Sequence, residues 1–488
     1  MALSTVLSTV LALSVMVVGS GLSPRSPRFL GSSAGRAIPL AVPLVALGFR
    51  PSRRALRFQT KLLPIVARLK LFELRRFESD AERAAALAAL DARLAARARR
   101  AVEEMRGSYV KAAQLLTTLE PAVVRAPYAR ALETLVDAAP GGRPFGRVRA
   151  QLRRELLGGR PLAELFASID EAPLGAASIG QVHRATLADG RAVAVKLQYP
   201  EARSLILSDL GNIVRVLRVL KPPLAQVVAE LRNRVRGEFD YEREAATMDR
   251  VAALFARDAR VRAPRAILAT RRVLVMELLP GESLRDALRG RYARAQALPR
   301  VARYPALLVL RRQAKAKLRA LLRAQGRQIF ELGTFNADPH PGNVVLLRDG
   351  KLGLLDFGCA KTFTDAQRRN LARLVLALAD GERDAALAAL ATMGWRTKRA
   401  DADVAWRFAT LFFDRTPAGS PSPPEALLEL ERADAIVSLP KEYMLAARAS
   451  LLLRGLGAKV GWRSISCAEL WRRDAERCLA ATAASDDT

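Results

Sequence analysis

The stretch FNADPHPGN-VVLLRDGKLGLL-DFG, residues 335–358, constrains this chain more than any other. Asp338 precedes Asn343 by five positions, and Asp356 follows Asn343 by thirteen. Between them, two β-prone runs flank Asp349-Gly350, the signature of a strand–turn–strand unit. Such a unit places three oxygen-bearing side chains on neighbouring loops. Carboxylate and amide oxygens suit magnesium, a hard cation that also takes phosphate oxygens. The stretch therefore predicts metal–nucleotide chemistry and phosphoryl transfer, and the remaining sequence is consistent or inconsistent with that chemistry.

The chain has 488 residues, half of them hydrophobic, which is ample for a packed core and excludes disorder throughout. Its 79 Lys and Arg against 48 Asp and Glu give a net charge of +31. That balance favours anionic partners such as phospholipid surfaces or nucleotides. No aromatic-interleaved basic patch or zinc knuckle supports nucleic acid, which is expected not to be a partner. Cys359, Cys467 and Cys478 are too few for a disulfide framework and have no zinc-site spacing. His183 and His340 are the only histidines, so a histidine-rich metal centre is excluded.

No Asp or Glu appears before Glu73, and residues 1–71 read as a basic targeting or membrane-proximal segment. In a eukaryote that composition points to a mitochondrion or plastid, and in a bacterium to the cytoplasmic face of a membrane. Residues 72–170 form a helical extension, beginning with the Ala-, Leu- and Arg-rich run near 81–105. Residues 171–281 are strand-rich: 181–187 and 192–198 bracket Asp189-Gly190 as a hairpin, and 265–270 and 273–278 are further strands. Helices are expected over 205–220 and 225–256, and Pro280-Gly281 as a hinge. Residues 282–465 are expected to be mostly helical around the opening stretch, with helices over 364–394, 402–412 and 425–457, and residues 466–488 form a last helix and tail.

Strands, a hinge, then helices carrying an Asp…Asn…DFG series is the order of a two-lobed protein kinase. The expected fold is thus α+β, protein-kinase-like, with an N-terminal helical extension and a mostly helical C-terminal lobe. Lys196, in VAVK on the second hairpin strand, takes the place of the phosphate-binding lysine. Glu244, on a following helix, is the candidate carboxylate to hold it. One element departs: where a glycine-rich loop should precede the hairpin, the chain has PLGAASIGQV, and Ala restricts the backbone where Gly would let it approach phosphate.

These segments together resemble the UbiB-like atypical kinases, also called aarF-domain kinases. The resemblance is carried by PLGAASIGQVHRA, VAVKLQYP, EFDYEREA, VLVMELLPGESL, FNADPHPGN and LLDFG, and covers about residues 105–363 well. It implies ATP and Mg2+ as cofactors. Contacts to the nucleotide would come from Ala176, Ala177, Ser178, Lys196, Glu244 and Glu277, and metal ligation from Asn343 and Asp356. Asp338 and Lys196 would be the catalytic pair. The family's Lys-x-Gly-Gln motif matches Lys111 and Gln114, with Ala113 in place of Gly, and its Glu-x-Asp motif matches Glu238 and Asp240. In the family that lysine helix folds over the cleft where a protein substrate would dock. Asn336 replaces the family's usual His. The implied function is an ATP-dependent kinase or ATPase acting on a small molecule or lipid. It would support coenzyme Q or another prenyl-lipid pathway at a membrane, with partners in a quinone-biosynthesis complex. The alternative is a nucleotide-binding pseudokinase scaffold that organises membrane-bound biosynthetic enzymes.

Overall fold

A computed structural model describes residues 60–61, 64–65, 68, 71–72, 75–105, 126–133, 142–176, 179–220, 229, 239–417, 420 and 423–486. Along the chain run α1 (Asp80–Met105), α2 (Ala126–Glu133), α3 (Phe145–Leu157), β1 (Phe166–Ile169), β2 (Gly175–Ala176), β3 (Gly180–Leu187) and β4 (Ala192–Gln198). Then come α4 (Ala202–Leu220), α5 (Tyr241–Leu254), β5 (Val261–Arg262), β6 (Ala266–Ala269), β7 (Val273–Glu277), β8 (Gly281–Ser283), α6 (Leu284–Gln296) and α7 (Arg300–Phe330). The site region holds β9 (Thr334–Asn336), β10 (Val344–Leu347), β11 (Leu352–Leu354) and β12 (Ala360–Thr362). The chain ends with α8 (Asp365–Asp380), α9 (Arg383–Thr392), β13 (Arg396–Thr397), α10 (Ala402–Ala409), α11 (Pro423–Ala433), β14 (Ile436–Ser438), α12 (Met444–Lys459) and α13 (Cys467–Asp486). The fold is α+β with mostly antiparallel sheets and a helical C-terminal half.

The chain divides into two compact units: residues 1–152, 170–183 and 196–239, and residues 153–169, 184–195 and 240–488. In the first unit α1 buries Leu94, Ala95, Ala101 and Met105 on one face, and Tyr128 of α2 donates to the buried Asp91 carboxylate at 3.2 Å. The Gln151 side-chain amide in the middle of α3 donates to the Gln198 carbonyl at 2.7 Å. Gly180 opens β3 because nothing larger fits: a Cβ there would lie 2.2 Å from the Leu197 carbonyl oxygen.

In the second unit residues 184–187 of β3 and 192–195 of β4 continue a sheet in the order β1-β3-β4-β7-β6. Its centre is Val193, Val195, Val273, Leu274 and Val275, all without solvent exposure, as expected of a Val-rich apolar run on strands covered on both faces. A second sheet runs β5-β11-β10-β8, parallel at β5-β11 and antiparallel elsewhere, with Val345 opposite Gly353 on one side and Ser283 on the other. The DG turns close both hairpins as the sequence indicated, with Gly190 at φ +86° and Gly350 at φ +83°, a region that glycine enters freely.

Several elements differ from the sequence reading. Only Tyr241–Leu254 of the helix expected over 225–256 lies within the described residues beyond position 239, and it starts where the Asp240 carboxylate accepts from the Arg243 amide at 3.1 Å. The helix expected over 364–394 breaks at Gly381, which takes φ +76° and caps α8. The helix expected over 425–457 is interrupted by β14, which pairs with β13. The cause is Asp434, whose carboxylate takes the Arg399 and Asp401 amides at 2.9 and 3.0 Å and draws the two segments together. Among the described residues no helix is long and apolar enough to cross a membrane.

Candidate functional site

β9 delivers the chain to Asp338, and β11 delivers it to Asp356. Two bonds lock these loops. The Ala337 amide donates to the Cys359 carbonyl at 2.8 Å, and the Asn336 side-chain amide donates to the Asp356 carbonyl at 2.8 Å. Asn336 is the hub. Its Oδ1 accepts from the Asp338 amide at 2.8 Å, its own amide donates to Gln328 Oε1 at 3.2 Å, and its carbonyl accepts from Gln325 Nε2 at 2.8 Å. Read in sequence as a departure from the family's His, Asn336 supplies a donor and an acceptor at once, which is what bridging two backbones requires. The two glutamines lie in the buried end of α7.

The turn between Asp338 and Asn343 is a single 3-10 turn, Pro341–Asn343, capped by His340, whose Nδ1 accepts from the Gly342 amide at 3.1 Å. That fixes His340 as a loop-shaping residue. Asn343 then meets Asp356 directly, with Nδ2 3.4 Å from Oδ2, while Asp356 Oδ1 accepts from the Gly358 amide at 2.9 Å. Glu244, buried in the first turn of α5, approaches from below, its Oε1 3.5 Å from the Phe357 amide. Gly358 sits where the two carboxylates converge. A Cβ there would lie 3.3 Å from Asp356 Oδ1 and 3.4 Å from Glu244 Oε2.

Asp338 has a partner that sequence reasoning missed. Arg448, in α12, donates from Nη2 to Asp338 Oδ1 at 3.3 Å. With 110 residues between them, no local pattern signals this contact.

The donor set fits magnesium. Asp356 offers carboxylate oxygens and Asn343 an amide oxygen, both hard ligands, on side chains already joined by the Asn343 Nδ2 donor, and Glu244 adds negative potential nearby. Among the described residues no group of three carboxylate, thiol or imidazole side chains forms a metal cage. Asn343 and Asp356 would hold a magnesium here, which would supply positive charge against nucleotide phosphates.

The other expected residues are placed as follows. Lys196 lies on β4, half-buried between the fully buried Val195 and Leu197, and belongs to the first unit. Ala176 ends β2 opposite Gln181. Glu277 ends β7 with its carboxylate on the Arg265 amide at 3.2 Å and on Arg262 at 3.3 Å. Asp240 caps α5. Ala177, Ser178, Lys111, Gln114 and Glu238 lie outside the described residues.

The chain is 34% identical over 228 residues to the rat atypical kinase COQ8B, mitochondrial, covering 45% of this chain and 40% of that protein. It is 29% identical over 285 residues to AarF domain-containing protein kinase 1 of Xenopus tropicalis, covering 56% of this chain and 50% of that one. An uncharacterized protein of Clostridium pasteurianum, encoded in the hydrogenase 1 5' region, is 25% identical over 376 residues, 74% of this chain and 67% of the relative. The chain thus spans half or less of the length of the two named kinases. The ABC1 atypical kinase-like domain matches residues 142–390, more than half of the chain, from α3 through the Asp338–Asp356 loops to α9. The protein therefore belongs to the ABC1 atypical kinase-like family, of the UbiB and AarF type, and has that family's kinase-like α+β fold.

Proposed function

We propose that the protein is an ATP-dependent atypical kinase or ATPase that binds Mg-ATP at the Asp338–Asp356 loops. One observation carries the reading: Asn343 and Asp356 touch, on two loops that Asn336 ties to Asp338. Asn343 and Asp356 would hold magnesium, which when bound offsets phosphate charge. Asp338 would orient the attacking hydroxyl or water and take its proton. The family resemblance proposes Lys196, Glu244, Ala176, Ala177, Ser178 and Glu277 as the nucleotide-binding residues, Lys196 by offsetting phosphate charge. Catalysis of this kind is positioning plus electrostatic stabilisation.

The substrate proposed is a small molecule or lipid rather than a protein, because Lys111 and Gln114 match the Lys-x-Gly-Gln motif, and Glu238 and Asp240 the Glu-x-Asp motif, that in the family exclude a protein substrate from the cleft. A role in isoprenoid quinone or other prenyl-lipid synthesis at a membrane, alongside the enzymes of that pathway, follows from the likeness to a mitochondrial COQ8B. The same likeness supports placement in a mitochondrion or plastid of a eukaryote, or at the cytoplasmic membrane face of a bacterium.

The test is nucleotide binding by Asp356→Asn, with and without magnesium. Removing the charge of one ligand should weaken Mg-dependent ATP binding by roughly tenfold or more, the scale of about 1.4 kcal/mol, and leave metal-free binding nearly unchanged. Equal affinity with and without magnesium in the parent protein would sink the proposal.

A second reading has its own observation. Asp338 already bears an ion pair from Arg448. If that pair persists with nucleotide bound, the protein is a nucleotide-binding scaffold without turnover. ATP hydrolysis assayed with and without anionic vesicles separates the readings, and Arg448→Gln should raise turnover only under the second.

A further inference from the structure

Helix α7 begins as an amphipathic helix turned inside out. Val301, Tyr304, Leu308 and Val309 recur at the spacing that places them on one face. That face is the one a soluble helix would bury, yet here the four are 90, 73, 41 and 52% exposed. The hairpin is otherwise accounted for: α6 packs along α7, and Ala287 and Ala295 of α6 are buried. Tyr292 and Leu298, near the hairpin tip, are also open to solvent.

The charge around this face is one-sided. From Ala287 to Gln313 the chain has seven Arg and no Asp or Glu. Arg300, Arg311 and Arg312 are exposed beside the stripe, and among the described residues none lies within ion-pair distance of a carboxylate. Residues 1–72 also lack a carboxylate, so the chain's own beginning brings no countercharge to cover the face.

We propose that the α6–α7 hairpin docks on an anionic lipid surface, with Val301, Tyr304, Leu308 and Val309 entering the headgroup–acyl boundary and the flanking arginines pairing with lipid phosphates. An apolar stripe bordered by cations and bearing tyrosine at the water boundary is the pattern of an interfacial helix. A second copy of this chain would bring like charges together. A nucleic acid would use the arginines but gain nothing from Val301, Leu308 and Val309. The inference deepens the membrane part of the function proposed above by naming the surface that makes the contact.

Flotation of the full chain with phosphatidylcholine vesicles, and with vesicles that also contain phosphatidylglycerol, tests this. Binding is expected only to the second kind and should weaken with salt. Arg311→Gln with Arg312→Gln should lower partitioning about 30-fold, the ratio to which roughly 1 kcal/mol per arginine near an anionic surface converts. Val301→Ser with Leu308→Ser and Val309→Ser should lower it by roughly tenfold or more while the salt dependence persists. These positions are exposed, so thermal melting of the variants should match the parent. The proposal is overturned if both variants float like the parent, if the triple-serine variant loses self-association but keeps vesicle binding, or if the parent prefers duplex DNA to anionic vesicles. Mg-ATP binding measured on the same preparations keeps the two readings separate: its absence in the parent sinks the kinase reading alone.

Discussion

The two halves of α7 are one continuous helix of similar composition, yet they end in opposite environments. Residues 300–313 expose valine, leucine and tyrosine, whereas from Ala314 to Phe330 nearly every apolar side chain is buried, along with Gln325 and Gln328. The difference lies in the partners rather than in the helix. The C-terminal half meets α8, α12, α13 and β9. Trp471 of α13, wholly buried, donates from its indole to the Leu322 carbonyl at 2.7 Å and meets Phe330 edge-on at 6.3 Å between centroids. Gly326 lies beneath it, where a Cβ would come within 2.5 Å of the indole. A hydrophobic stripe therefore marks where a helix is able to bury itself, and the remainder of the molecule decides whether it does.

The contrast breaks most sharply at Trp471. Trp471→Ala removes a large buried side chain and leaves the Leu322 carbonyl short of its donor, so it should cost about 3–5 kcal/mol in chemical denaturation. A loss below about 1 kcal/mol would mean that the C-terminal half does not depend on α13. Gln325→Leu is next. It strands the Asn336 carbonyl at a cost of about 1–3 kcal/mol, and nucleotide binding should fall further than stability does, because Asn336 ties the Asp338 and Asp356 loops together.

Asp474 gives a smaller, pH-resolved effect. Burial, reinforced by the charge of Glu331, pushes its carboxyl up to about 6 from the ordinary 3.8. The folded state holds this proton more tightly than the unfolded chain, so stability falls as pH rises through that window, and the ionised carboxylate weakens the fold in full above it. Asp474→Asn should therefore melt higher than the parent at neutral pH, and the gap should close as pH falls toward 3.8. The smallest effect belongs to the exposed half. Val301→Ser should change stability by no more than about 0.5 kcal/mol while weakening vesicle binding. A larger loss of stability would show that the stripe is buried in the folded protein after all.

What the sequence made legible was local. The two hairpins follow from Asp-Gly turns, and the Asn343–Asp356 contact follows from motif spacing across one of them. What stayed hidden depends on residues far apart. Arg448 reaches Asp338 across 110 positions. Asp414, buried, takes the Ala468 amide at 3.2 Å across 54 positions. Asp434 draws β14 beside β13 through amides more than thirty residues upstream. The bridging role of Asn336 was hidden for another reason: its position looked like a lost histidine, and only the geometry of the two backbones shows why an amide belongs there. Propensity likewise read residues 425–457 as one helix, since nothing in their apolar spacing reveals the pull of Asp434.

The pairing of β12 with β9 sets Ala360 opposite Asn336 and Thr362 opposite Thr334, and α8 begins at Asp365. The stretch from Gly358 to that helix is therefore short and stitched down along its length. Kinases that are switched by phosphorylation rely on a long slack segment after DFG, which a phosphate orders against arginines. Here no such slack remains to be tightened, so phosphorylation of this stretch would find little loose chain to order.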